Sequence, residues 1–134
     1  MSGDSSFEKQ APPYEISVDR ARKCLRIVMR GLWTHEIFEA FADDLRAAEA
    51  VMATFEGTTY ALADGRGFAM QDVTVTERFV PLLLSFGLDE RRRSATVAPG
   101  ALAQMQARAA SDVVNARYFR TIEDATDWLF SEEF

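Results

Sequence analysis

The chain has 134 residues, 48% hydrophobic and 27% charged, the balance of one soluble domain able to bury a core without disulfides or metals. Its net charge of −6 repels a phosphate backbone and argues against nucleic acid as a partner. A single cysteine, Cys24, excludes an intramolecular disulfide and any multi-cysteine metal site, and fits a reducing compartment.

The opening residues, MSGDSSFEKQAPP, are polar and lack the basic start and apolar core of a secretory signal. Residues 1–13 are expected to form a disordered tail, and residues 14–134 the domain. The longest apolar run, FVPLLLSFGL, is short and interrupted by Pro81, well below the roughly 18–20 apolar residues of a membrane span. A cytoplasmic protein is expected.

From Tyr14 the chain turns periodic. YEISV places Tyr14, Ile16 and Val18 on one face, and CLRIVMR repeats the alternation with Leu25, Ile27 and Met29. The polar link Asp19–Lys23 joins the two strands as an antiparallel hairpin. Gly31 ends the second strand, and Thr34 suits the N-cap of a helix whose stripe is Ile37, Phe41, Leu45, Ala48 and Met52. TTYALAD is apolar without alternation, as in a strand covered on both sides. Thr74 and Glu77 then have the spacing of a capping box for the helix VTERFVPLLLSFG, which Gly87 would end. RSATVA reads as a strand, Pro99 as the start of a helix with Leu102, Met105, Ala109 and Val113 inward, and ARYF as a short last strand. Thr121 and Asp124 approximate a capping box for the final helix. The order β-β-α-β-α-β-α-β-α predicts an α/β domain whose mostly parallel sheet carries an N-terminal hairpin.

Candidate chemistry is sparse. DGRG, residues 64–67, has glycines that let successive amides converge on an anion, with Asp64 and Arg66 beside them, yet it matches no nucleotide motif. It reads mainly as a loop, although its place at the carboxyl end of a central strand is where open α/β sheets bind ligands. Arg91-Arg92-Arg93 reads as a solvated strand edge, and Asp43-Asp44 as a solvated helix face. His35 is the sole histidine and reads as a surface residue of a first helical turn, with only Glu36 and Glu39 nearby in sequence. Cys24 lacks a CxxC partner and reads as a structural thiol. Ser85 and Ser111 lack the context of a nucleophile elbow. No acid, base and nucleophile set emerges, and neither enzyme activity nor a cofactor or metal is expected.

Two phrases carry a resemblance. ARYFRTIEDATDWLF, residues 116–130, and LRIVMRGLWTHEIFEAFADDL, residues 25–45, resemble the SpoIIAA-like superfamily, which includes STAS domains and the lipid-binding Sec14-like domains. The likeness covers roughly residues 14–130 and implies the same fold. In signalling STAS domains the strand matching YALAD leads to an Asp-Ser-Ser-like loop whose first serine is phosphorylated. Asp72 falls where that aspartate stands, Val73 takes the acceptor's place, and Thr74 follows one residue later as a displaced candidate acceptor. The Sec14 likeness implies instead an apolar pocket or a membrane-associated surface. Phe68 and Met70 in the loop, with Phe79 and Leu83 on the following helix, are the candidate lining beside Asp64 and Arg66. The resemblance therefore implies a non-catalytic module for a small apolar ligand or membrane surface, or alternatively a partner-switching regulator; the same apolar residues would also suit a homodimer.

Overall fold

The computed structural model describes residues 11–69, 71–86, 91–97 and 116–131, the side chains at 79, 80, 83–86 and 116 excepted. Strands β1 (Tyr14–Asp19) and β2 (Cys24–Gly31) form the expected hairpin. Helix α1 (His35–Met52) leads to β3 (Thr59–Phe68), and α2 (Val73–Phe86) to β4 (Arg92–Val97). Strand β5 (Ala116–Phe119) and helix α3 (Ile122–Leu129) complete the described elements. The helix expected around Leu102 to Val113, and the helix end at Gly87, lie outside the described residues.

The five strands lie in chain order, β1-β2-β3-β4-β5, with β1 antiparallel to β2 and every later pair parallel. Strand alternation sends residues to two cores. Leu25, Ile27, Met29 and Ala61 meet Phe38, Phe41 and Leu45 of α1 and Val75 of α2 on one face. Cys24, Leu62, Ala95 and Val97 meet Ala125 and Leu129 of α3 on the other. The run TYALA lacks alternation because both faces of β3 are covered. Burial pushes the Cys24 thiol up to about 11, against partial opposition from Arg26, which makes it the inert residue expected of a structural cysteine.

The caps of α1 and α3 form as predicted: the Thr34 hydroxyl accepts from the Ile37 amide at 3.2 Å, and Thr121 from Asp124 at 3.1 Å. The cap of α2 does not. The Asp72 carboxylate accepts the Thr74 amide at 2.9 Å and the Asp72 carbonyl accepts the Thr76 amide at 2.9 Å, so the helix has begun before Thr74 can cap it. Asp72 is the cap, and Thr74 stands within the first turn.

Two further expectations are corrected. Strand β3 does not stop at Asp64: Gly67 and Phe68 pair with Arg30 and Gly31 of β2, so DGRGF is strand and the connection to α2 is short. The second correction concerns the arginine run, where only Arg91 lies at the surface. Arg92 and Arg93 are 5% and 1% exposed. Arg92 makes a two-pronged ion pair with Glu49 of α1, one prong at 2.6 Å, while Arg93 stacks 4.1 Å from the Trp128 ring and donates to the Ser131 carbonyl and hydroxyl. A guanidinium can be buried when a carboxylate or a π-face replaces water, and each arginine finds one on a different face of the sheet.

Candidate functional site

The carboxyl ends of β2 and β3 bring two loops together, with Gln71 joining them. Its side-chain oxygen accepts the Trp33 amide at 2.8 Å, and its nitrogen donates to the carbonyls of Gly31 at 2.9 Å and Ala69 at 2.7 Å. Gly31, at φ +72°, makes the turn that aims its carbonyl this way. Trp33 itself is 3% exposed and donates through its indole nitrogen to Arg30 and Pro13 carbonyls, at 2.9 and 3.2 Å. Tyr14, Phe41 and Phe68 pack around its ring with centroids 5.8, 4.8 and 4.8 Å away. Pro13, expected in the tail, is thus tied to the domain, as is Pro12 through its carbonyl to Arg30.

Of the six proposed ligand residues, Asp64, Arg66 and Phe68 have described side chains. Phe68 is half-buried against Trp33. Asp64 and Arg66 point to the same side of β3 and close on each other: the guanidinium meets both carboxylate oxygens at 2.9 Å, and the Arg66 amide donates as well. That pairing holds the Asp64 carboxyl below the usual range. Met70 lies outside the described residues, as do the side chains of Phe79 and Leu83.

Sequence reasoning missed two features that depend on contacts between distant residues. At the start of α1 and α2, His35 Nε2 lies 3.0 Å from the Thr74 hydroxyl, which donates to Asp72 at 2.9 Å. The Thr74 amide and then its hydroxyl hold the Asp72 carboxyl below its ordinary value. On the other side of the ring, Arg78 lies 3.4 Å from His35 Nδ1 and 3.5 Å from Glu39. This is poor geometry for nucleophilic catalysis. A catalytic histidine is oriented by a carboxylate accepting from its far nitrogen, and here that nitrogen faces a guanidinium. The carboxylate instead holds the hydroxyl. Among the described residues no group of three or more His, Cys, Asp or Glu residues could hold a metal ion.

The second feature is a groove of about 800 Å³ between α1 and α2. Phe38, Ala42, Leu45 and Leu82 supply its apolar surface. Pro81, inside α2 and exposed, lines its far wall, where a proline interrupts the helical hydrogen bonds. The Arg78 guanidinium covers the Phe38 ring at 4.7 Å, and the Glu49–Arg92 pair also borders the groove. An amphipathic signal on α1 was visible in the sequence. That α2 would stand away from it was not.

The order of strands, the hairpin and the helices on both faces define a SpoIIAA-like α/β fold. The crystal structure of an uncharacterised DUF3478-family protein with a SpoIIAA-like fold, from Shewanella loihica PV-4, is 24% identical and superposes with a TM-score of 0.63, covering 90% of this chain and 97% of that one. That likeness establishes the fold. No family model matches the sequence, and no curated protein matches it. Among the described residues no helix is long and apolar enough to cross a membrane.

Proposed function

We propose that this protein is a non-catalytic binding module that takes a small apolar or amphipathic ligand in the groove between α1 and α2. The observation that carries the reading is the groove itself, whose volume of about 800 Å³ falls in the range of small-molecule sites, roughly 300–1,000 Å³. Phe38, Ala42, Leu45 and Leu82 would take the apolar body, while Arg46, Glu77 and Arg78 at its border would meet a polar end. Pro81→Trp tests this reading by placing an indole in the groove from an exposed position. An environment-sensitive apolar dye should bind the native protein in a saturable way, and Pro81→Trp should weaken that binding at least about tenfold with the circular dichroism spectrum intact, as loss of a largely filled site implies. Equal binding by both proteins would place the dye elsewhere and defeat the assignment.

A second reading, a partner-switching regulator with Thr74 as acceptor, is supported by one observation. The hydroxyl is exposed near the N-terminus of α2, with His35 and Arg78 in the same cluster. Phosphate there would gain the helix dipole and those two side chains, and would be opposed by the neighbouring Asp72. Incubation with cell extract and labelled ATP, followed by peptide mapping, should find label on Thr74 that Thr74→Ala removes. Label confined to other residues, or none at all, ends this reading.

A further inference from the structure

The starts of α1 and α2 are joined by a chain of hydrogen bonds with a defined direction. The Thr74 hydroxyl donates to the Asp72 carboxylate at 2.9 Å, so its oxygen is an acceptor toward His35. His35 Nε2, 3.0 Å from that oxygen, therefore carries a hydrogen and donates it. The other ring nitrogen, Nδ1, lies 3.4 Å from Arg78 Nη1, which can only donate. The polarity of the chain thus assigns the neutral ring, with its hydrogen on Nε2 and Nδ1 accepting from Arg78.

We propose that His35 is an acid-sensitive latch between α1 and α2, which on taking a second proton releases Arg78 and uncovers the Phe38 wall of the groove. A proton on Nδ1 turns that nitrogen into a donor aimed at another donor. The bond to Arg78 is lost, and two cations stand side by side. Arg78 is the group that carries this change to the groove. Its guanidinium also lies 3.5 Å from Glu39 of α1 and 4.7 Å from the centre of the Phe38 ring. Phe38 lines the groove and is 5% exposed, with Arg78 as part of its cover.

The surrounding charges act in the same sense. Glu39 follows His35 by one helical turn, so the charged ring competes with Arg78 for its carboxylate. Acid therefore removes one anchor of Arg78 and weakens a second. Glu36 on α1 and Asp72 before α2 attract the added charge, Arg78 repels it, and Glu77 stands beside Arg78 on α2. Strands β1 and β2, which pack against α1, bring Glu15 and Arg30, and these pair with each other. His35 is exposed, so protons reach it without any opening of the core.

The latch itself does not depend on the groove being a ligand site; its effect on binding rests on that reading. Two readouts keep them apart. His35 is the sole histidine, so nitrogen NMR of the full chain reports its ring without ambiguity. From about pH 8 to about pH 5.5, where imidazoles titrate and ordinary carboxylates stay ionised, the Arg78 guanidinium signals should move in step with the ring. Over that span an uncharged apolar dye should bind about two- to fivefold more tightly at the acid end, the worth of an exposed cation–π cover. His35→Gln, which does not titrate, should remove this pH dependence. Arg78→Ala should bind the dye at the alkaline end as the wild type does at the acid end. Arg78 signals that ignore the ring overturn the inference. So does saturable dye binding that stays level with pH in the wild type, or an acid response that His35→Gln shares. Arg78 signals that follow the ring, with no saturable dye binding at any pH, uphold the latch and defeat the groove reading instead.

Discussion

Replacing Trp33 by alanine lowers the stability of the fold by about 3–5 kcal/mol, the range for a large aromatic removed from a packed core. The side chain is 3% exposed and its ring meets three other aromatics, so the substitution takes away both buried area and edge-on ring contacts. Its indole nitrogen also satisfies the carbonyls of Arg30 and Pro13. For a domain of this length the loss corresponds to a fall in Tm on the order of 10–20 °C. Trp33→Phe separates the two contributions: it keeps much of the ring packing but gives up the donor, and should cost about 1–3 kcal/mol. Denaturant unfolding of both variants checks this. Near-equal midpoints for wild type and Trp33→Ala would mean that the aromatic cluster does not hold the two loops.

Glu49→Ala is expected to destabilise by about 3 kcal/mol, because it withdraws the carboxylate from an arginine that is 5% exposed. Glu49 is itself about one-third exposed on its side chain, so its own desolvation is partial and the dominant effect is the guanidinium left behind. Exchanging the whole pair for Glu49→Leu with Arg92→Met should recover most of the loss, since a buried pair replaced by apolar groups of similar volume is often neutral. A double-mutant cycle by thermal and urea unfolding measures the coupling. Additive single and double variants would show that the two residues act separately. The pair borders the groove, so the double variant also makes that border more apolar and should favour dye binding if the groove is the site.

What the sequence disclosed was whatever depends on near neighbours along the chain. Alternation at Tyr14, Ile16 and Val18, the hydroxyl caps Thr34 and Thr121, and the unbroken apolar run in β3 each report a local arrangement, and each marks an element that is present, β3 running further than it was read. The glycines of DGRG misled because they look like punctuation. Strand β3 continues through them because the parallel pairing with β2 extends to Phe68, and because Asp64 and Arg66 pair along one face of an extended backbone. The cap of α2 was read at Thr74, but Asp72, two residues earlier, takes it; the earlier start adds helical hydrogen bonds and leaves Val75 in the core.

The site was much less legible, for one physical reason: its interactions span long separations. Glu49 and Arg92 are 43 residues apart, Arg93 and Ser131 are 38, and His35 and Thr74 are 39. Three consecutive arginines look like a solvated edge unless the carboxylate and the indole that shelter two of them are known. Likewise the groove depends on how α2 stands against α1, and no periodicity within either helix encodes that spacing.

Native mass spectrometry of freshly purified wild type and Pro81→Trp, each repeated after denaturation, addresses the groove directly. A binding module of the proposed kind carries a non-covalent mass of small-molecule size that denaturation releases, and Pro81→Trp carries less of it or none. A wild-type protein that shows only its own mass, and that gains none when incubated with a lipid extract, contradicts the assignment of the groove as a ligand site.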